Sequence, residues 1–583
     1  MAGFERFFRL YLLFAVFVLP LVFLQRCEEA YYLPKLAVLP GILPLVVFLK
    51  GIKPEKYDYL ILGFLFFYAA GFFNGVSFFD VLSGLASWAA VITAYFYIKY
   101  RAAGSYREKL ILSAAASAVL VAAYSVMQAF KLDLEGWASD FSGRAFSSLG
   151  NPDFLGGFLV IMIPAGFYIA AGLGRVKTGT AVFYFLITAL ILSQTRSSLI
   201  AAGCAAGLLV LFFREFFFRK ALKINITAFV LAALVITASG AAGGLSGRIA
   251  DAVTMKSADL SGRVKMWGIG AKMAAENPVF GMGAGAVKTN YHKFAGGGRY
   301  YETDRLHNDY IDMAASSGIP AAVLFILFIG VSGARLLREK GVFPRIFTAA
   351  LAGTAIHAFF NFPFFIPDTQ LYFFALLGCA AAAPARAEGS PARAVVLAAA
   401  AAAGALYFYF FLAITGGIYL NHAVNLSAAG KPPEAAAFMK NSGFYPRAKK
   451  YYYSAEINMK NSMPGEALRD IHKFTAKNPG SKPGALLSSI IHYDANDSAA
   501  AVEVLDGFLR YYPKDPQVLN NKAKIIFMEG DAERAAGIFR SILEDDPTNS
   551  VARSNLAAVY YSMGLEERAR EAEEGGARWK QKN

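Results

Sequence analysis

The sequence predicts an all-α protein in two parts: a polytopic transmembrane helical bundle of about 12–13 spans, then an α-solenoid of short helical repeats. Three observations predict it. The chain is 56% hydrophobic, has a mean hydropathy of +0.42 and is only 17% charged, where soluble proteins carry about 25% charged residues. Apolar runs of spanning length fill the first 415 residues, with basic residues in every second loop between them. Beyond residue 416 these runs stop and prolines recur at intervals of 33 or 34 residues.

A helix crosses the hydrocarbon core with about 20 mostly apolar residues. Candidate spans lie near 7–25, 33–50, 57–76, 79–98, 109–129, 152–173, 180–195, 197–213, 224–243, 319–337, 346–361, 370–383 and 394–414. The positive-inside rule orients them. Arg6 and Arg9 place the N-terminus inside, followed on that side by Lys50, Lys53 and Lys56, and by Lys99, Arg101 and Arg107. Arg175 with Lys177, the basic cluster at 214–223, the run from Arg335 to Arg345, and Arg386 with Arg393 continue the alternation. The loops 130–151, 244–318 and 362–369, and the tight turn at Gln194–Thr195–Arg196, then face outward. An odd number of spans puts everything after residue 415 on the outer side as well.

The formal charge of +15 is spent largely on this orientation, so nucleic acid is not an expected partner. Three cysteines give no disulfide framework, and Arg26 before Cys27 does not suit lipid attachment. The expected domains are residues 1–415, with the long outward loop 244–318, and residues 416–583.

In the second domain Pro446, Pro479, Pro513 and Pro547 mark a period of 33 to 34 residues, the tetratricopeptide length. Ala523 aligns with Ala557, Gly530 with Gly564 and Ala535 with Ala569. Small residues let paired helices approach, and a proline ends the second helix of each pair. The last two copies resemble tetratricopeptide repeats well and the first two are degenerate. Such repeats suit a protein partner, or serve as a spacer.

Three features carry chemistry in the outward loops. Arg196 lies in a turn between two spans, where an arginine either has a functional partner or snorkels to head groups. Arg263 and Trp267 sit on an expected amphipathic helix along the membrane surface, which ends before Asn277–Pro278. The glycines Gly281, Gly283 and Gly285 read as a flexible turn, since no strand precedes them. His307 begins "HNDY" where the loop re-enters the membrane, and a histidine can take a proton from a hydroxyl.

The phrases "SLGNPDFLGGFLVIMIP", "LSQTRSSL", "GRVKMWGIGAKMAAENPVFGMGAG" and "HNDYIDMAASSGIP" resemble the O-antigen ligase and polymerase superfamily, in its order and spacing, over roughly residues 145–380. The resemblance implies a periplasmic-face glycosyltransferase of the bacterial inner membrane that needs no cofactor. It would move a glycan from undecaprenyl diphosphate to a hydroxyl of lipid A core, of a protein or of another glycan. It further implies that Arg196 and Arg263 bind the diphosphate, through bidentate, permanently charged guanidinium groups. His307 would be the general base, oriented by Asn308 and Asp309, with Arg144 and Asn151 contributing to either substrate. "TRSS" departs from the commoner Arg-Gly after the first arginine. Glu28 and Glu29 alone do not make a metal site, so metal-independent transfer is implied. Protein O-oligosaccharyltransferase and glycan polymerase activities remain within the superfamily. A polysaccharide transporter would place charges in mid-span, and a non-catalytic envelope scaffold would act through the repeats alone.

Overall fold

The computed structural model describes all residues except 1, 75–76, 134–140, 142, 242, 245–257, 298–299, 384–390 and 581–583, so Arg386 lies outside the described residues. Every regular element among them is helical. The chain forms two compact units, Met1–Gly285 with Arg305–Gly417, and Ala286–Asp304 with Ile418–Asn583.

In the first unit the helices are α1 (Ala2–Val18), α2 (Leu33–Val38), α3 (Asp58–Ala70), α4 (Phe78–Arg101), α5 (Gly104–Ala129), α6 (Pro152–Ala171), α7 (Val176–Ser193), α8 (Arg196–Phe212), α9 (Leu222–Ala238) and α10 (Ala258–Glu276). After the segment 286–304, whose helix is α11 (Ala286–Phe294), come α12 (Asp309–Ser317), α13 (Ile319–Arg338), α14 (Val342–Phe360), α15 (Pro367–Ala380) and α16 (Arg393–Ala428). Each apolar run named above falls on a helix. By length and composition α4, α5, α6, α7, α13, α14 and α16 are able to cross a membrane, while the remaining apolar segments are shorter. Prolines explain one of these. Pro40 and Pro44 remove backbone donors, and Leu39–Leu49 is a 3-10 helix rather than a continuation of α2.

Aromatic packing holds the centre of this unit. Trp88 of α4 lies 4.6 Å from Phe64 of α3, 5.7 Å from Phe325 of α13 and 5.8 Å from Phe374 of α15, ring centre to ring centre. These edge-on contacts exceed simple area burial by about 0.5–1.5 kcal/mol per pair. The periphery is the reverse of a soluble protein's: Ile226, Phe229, Leu231 and Leu234 of α9 are all exposed, as lipid-facing residues are.

One expectation about charge changes, and a second buried pair joins it. Lys99 is not a loop residue. It is fully buried at the end of α4, its ammonium 2.8 Å from both carboxylate oxygens of buried Asp58 and 2.8 Å from the Tyr57 hydroxyl. Lys35, inside an expected span, pairs with Asp368 at 2.5 Å, both buried. Sequence alone does not show which helices touch, yet only a partner makes such burial tolerable.

In the second unit α17 (Pro432–Asn441) precedes four helix pairs: α18 (Lys449–Lys460) with α19 (Pro464–Lys477), α20 (Lys482–Asp494) with α21 (Ser498–Leu509), α22 (Pro516–Met528) with α23 (Ala532–Asp545), and α24 (Ser550–Ser562) with α25 (Glu566–Lys580). The two degenerate copies thus fold like the two clear ones. Ala523, Ala535, Ala557 and Ala569 are all buried, as close helix approach requires. One difference is notable. The segment 286–304 of the outward loop belongs to this unit, and the other boundary falls at Gly417.

Candidate functional site

The first unit gathers the predicted residues around two helix starts and one turn. Asn151 caps α6, its Oδ1 accepting from the Asp153 amide at 2.8 Å. That cap presents Asp153 from the first turn. Arg144 donates to Asp153 Oδ1 and to Thr195 Oγ1, each at 2.8 Å, and through Nε to the Ser193 carbonyl at 2.9 Å. Thr195 is the residue before α8, reached through Gln194 in the left-handed region (φ 50°). The "TR" turn therefore starts α8 at Arg196, beside the Asp153–Arg144 pair. Arg196 is half-buried, and no ion pair holds it among the described residues.

Arg263 projects from α10, one of its nitrogens 3.9 Å from Asp153 Oδ2 and another donating to the Phe360 carbonyl. Arg144 and Arg263 thus share one carboxylate, and Arg196 opens the neighbouring helix. Trp267 of the same helix as Arg263 packs its ring 5.3 Å from Phe359.

The turn that receives Arg263, Phe360 to Phe364 between α14 and α15, also holds the histidine. His307 has φ 53° and lies 5.2 Å from the Phe362 ring. The next residue, Asn308, caps α12, accepting from the Tyr310 and Ile311 amides at 3.1 Å. Asp309 is fully buried; its amide donates to the Asn361 carbonyl at 3.2 Å, and its Oδ2 accepts from the Phe364 amide at 3.0 Å. Upstream, Arg305 pairs with Asp312 at 3.1 Å and lies over the Phe365 ring. His307 is thus clamped on both sides in a backbone conformation that few side chains favour. Asn308 Oδ1 and Asp309 Oδ2 are spent on this clamp.

The glycine turn is packed rather than flexible. The Met282 and Gly283 amides donate to the Ala315 and Ser316 carbonyls at 2.8 and 2.9 Å, and Gly281 (φ 66°) lies so close to Ser316 that a Cβ would collide with its backbone. It fastens the end of α10 to the end of α12.

Burial holds the Asp309 carboxyl well above the ordinary carboxylate range, with the nearby Asp312 charge adding to the effect and the Phe364 amide and Arg305 opposing it. A folded-state value above the unfolded one favours folding at low pH, and that contribution is lost as pH rises. Asp309→Asn keeps an oxygen for Phe364 and nothing to ionise. It should melt no lower than wild type at neutral pH, with its relative advantage growing from pH 5 to pH 8 in detergent melting curves.

Sequence reading missed Asp153, Thr195, the 360–364 turn and His357. The signals were present for some: "NPD" is a capping pattern and "NFPF" a turn pattern. His357 is fully buried, 3.4 Å from the Ser198 hydroxyl and packed on Gly157. That leaves no room for a substrate, whereas His307 is half-buried. Among the described residues no group of three or more His, Cys, Asp or Glu side chains is placed to hold a metal ion.

Residues 181–326 match the family model described as O-antigen ligase, and residues 527–583 match that of the tetratricopeptide repeat. The resemblance read from the sequence is borne out on those stretches. The first contains Arg196, Arg263 and His307 but stops short of the 360–364 turn. With the long apolar helices, the match makes this a multi-pass membrane protein with a region of glycosyltransferase type. Among solved structures, MamA from Desulfovibrio magneticus RS-1 is similar at 13% identity and a TM-score of 0.26, over 29% of this chain and 97% of that one. YrrB, a tetratricopeptide protein with an unusual peptide-binding site, is 19% identical at a TM-score of 0.23, over 27% of this chain and 83% of its own. A thermophilic tetratricopeptide protein of Thermus thermophilus is also 19% identical, at a TM-score of 0.23, over 28% of this chain and 90% of its own. No curated protein matches the chain.

Proposed function

We propose, from the premise that residues 181–326 are an O-antigen ligase region, that this protein transfers a glycan from a polyprenyl diphosphate, such as undecaprenyl diphosphate, to an acceptor hydroxyl. The observation that carries the reading is the meeting of Arg144 and Arg263 on Asp153, linked to His307 through the 360–364 turn. Arg196 and Arg263 grip the diphosphate. Arg144 neutralises Asp153, so that this carboxylate does not repel the donor. As the bond from the anomeric carbon to the diphosphate oxygen breaks, charge grows on the leaving group, and fixed guanidinium groups stabilise it more than the ground state. His307 takes the acceptor hydroxyl proton as the new glycosidic bond forms, which frees an oxygen lone pair for attack.

With the orientation read from the basic loops, this chemistry faces away from the cytoplasm, the N-terminus inside and the repeat unit outside; for an O-antigen ligase region that side is the periplasmic face of a bacterial inner membrane. The acceptor is a lipid A core sugar, a protein hydroxyl or a growing glycan, and the three are separated by experiment. Purified protein is mixed with undecaprenyl-diphosphate oligosaccharide and each acceptor in turn, and products are read by mass spectrometry. Transfer to one acceptor names the activity; transfer to none by protein that remains folded refutes the reading. A C-terminal tag shielded from reagent in intact spheroplasts would refute the orientation.

A further inference from the structure

The helical hairpin α17–α18, near the start of the second unit, carries charge of one sign. From Ala435 to Ala455 the chain has Lys440, Arg447, Lys449 and Lys450 and no acidic residue. Lys449 and Lys450 open α18, where the helix dipole favours acids and the first turn has none. The ammoniums of Lys450, Lys473 and Lys477 lie 5.3, 5.4 and 5.8 Å from the centre of a single ring, that of Tyr451. Of these three, only Lys473 has an ion pair among the described residues, with Asp470 at 3.2 Å. Burial, and then the charges of Lys477 and Lys473, push the pKa of Lys450 down. Lys450 donates to the Gly443 carbonyl at 2.7 Å, which ties the cluster to the α17–α18 turn. The next residue in that turn, Phe444, is 62% exposed.

The same turn lies close to the end of a membrane-length apolar run. That run ends near Ile414, and its helix, α16, continues to Ala428. Beyond the run, Tyr419 and His422 pack on Phe438 of α17, at 6.3 and 4.3 Å between ring centres. The opposite end of the hairpin meets Ser427 and Pro432, whose oxygens accept from Lys460 and Asn461 at 3.0 and 2.9 Å. So α17 runs back along α16, and the turn at Ser442–Phe444 follows beside Tyr419. Five helical residues separate Ile414 from Tyr419, a rise of about 7.5 Å. That is close to the depth of one headgroup layer, about 5–7 Å, and it is fixed along a single helix. We infer that this turn, with Lys450, Lys473 and Lys477 gathered on Tyr451 and Phe444 at its tip, is a docking site for anionic phospholipid headgroups. The ammoniums supply donors for phosphate oxygens, and an exposed phenyl ring beside amphipathic tyrosines suits the membrane–water boundary. A soluble acidic glycan would satisfy the lysines but give Phe444 nothing to enter.

The test places the full chain in nanodiscs of phosphatidylcholine alone, or of phosphatidylcholine mixed with phosphatidylglycerol, and follows amide hydrogen exchange. In the mixed discs the amides of 442–451 should exchange at least about tenfold more slowly, as several lysines near an anionic surface imply. Helices α22–α25 should exchange alike in both. The difference should vanish in about 1 M salt, where charges are screened within about 3 Å, and in the double variant Lys473→Gln with Lys477→Gln. Equal exchange of 442–451 by wild type in the two discs would overturn the site without any variant. Protection that survives high salt or the double substitution would overturn it as well. So would a phosphorylated oligosaccharide that shields the same amides in neutral discs as strongly as phosphatidylglycerol does, since the ligand is then a glycan. The site does not draw on the transfer chemistry, and a wild type without transfer activity leaves the exchange result standing.

Discussion

His307→Asn should retain the fold and donor binding while losing about 10²–10⁴-fold in turnover, the range for removal of a general base. The choice of substituent matters. His307 stands at φ 53°, where asparagine is far better tolerated than most residues. His307→Ala adds backbone strain to the loss of the imidazole, so its melting temperature should fall where that of His307→Asn holds. If both variants transfer glycan at the wild-type rate, no proton passes through this residue. If His357→Asn instead abolishes turnover without unfolding, the buried histidine has been misjudged.

Arg263→Ala and Arg196→Ala should differ in kind. Both remove charge from the donor site, and each should lower kcat/KM by about 10²–10³-fold, as loss of a transition-state electrostatic contact does. Only Arg263 also holds the fold, through the Phe360 carbonyl and Asp153. Its loss leaves a partly buried acceptor bare, costing about 1–3 kcal/mol, so Arg263→Ala should melt measurably lower. Arg196 carries no such duty, and Arg196→Ala should melt like wild type. Arg263→Lys restores charge without the planar fork, and its activity should fall between. Donor binding by titration calorimetry and melting in the same detergent test both arms. Equal melting with unchanged affinity in both alanine variants would end the diphosphate assignment.

These expectations draw on different levels of the molecule. The apolar runs, the basic alternation and the proline period were legible because each is a local pattern. A helix needs a certain length of apolar residues to face lipid, and a repeat needs its proline and small residues at fixed offsets. Arg196 and His307 stood out as polar residues where apolar runs end and Arg263 on an expected amphipathic helix, while their roles came from the family resemblance. The partners they use did not stand out. Asp153 looked like part of a capping phrase, and Phe360–Phe364 like an ordinary turn between spans, because nothing in a linear string says that one carbonyl meets Arg263 while its neighbour meets Asp309.

The buried pairs Lys99–Asp58 and Lys35–Asp368 make the same point. Positions far apart in the chain neutralise each other, and the lysine read alone is a loop residue or an anomaly. The segment 286–304 is the extreme case: its sequence continues an outward membrane loop, and only aromatic contacts supplied from residues 480–513 assign it to the repeat unit. Sequence by itself determined what each stretch is able to become, since helix length, polarity and turn chemistry act over a few neighbouring residues. Tertiary structure decided which charges are paired, which histidine is accessible and which unit owns the loop, because those depend on distances between residues that the chain order leaves open.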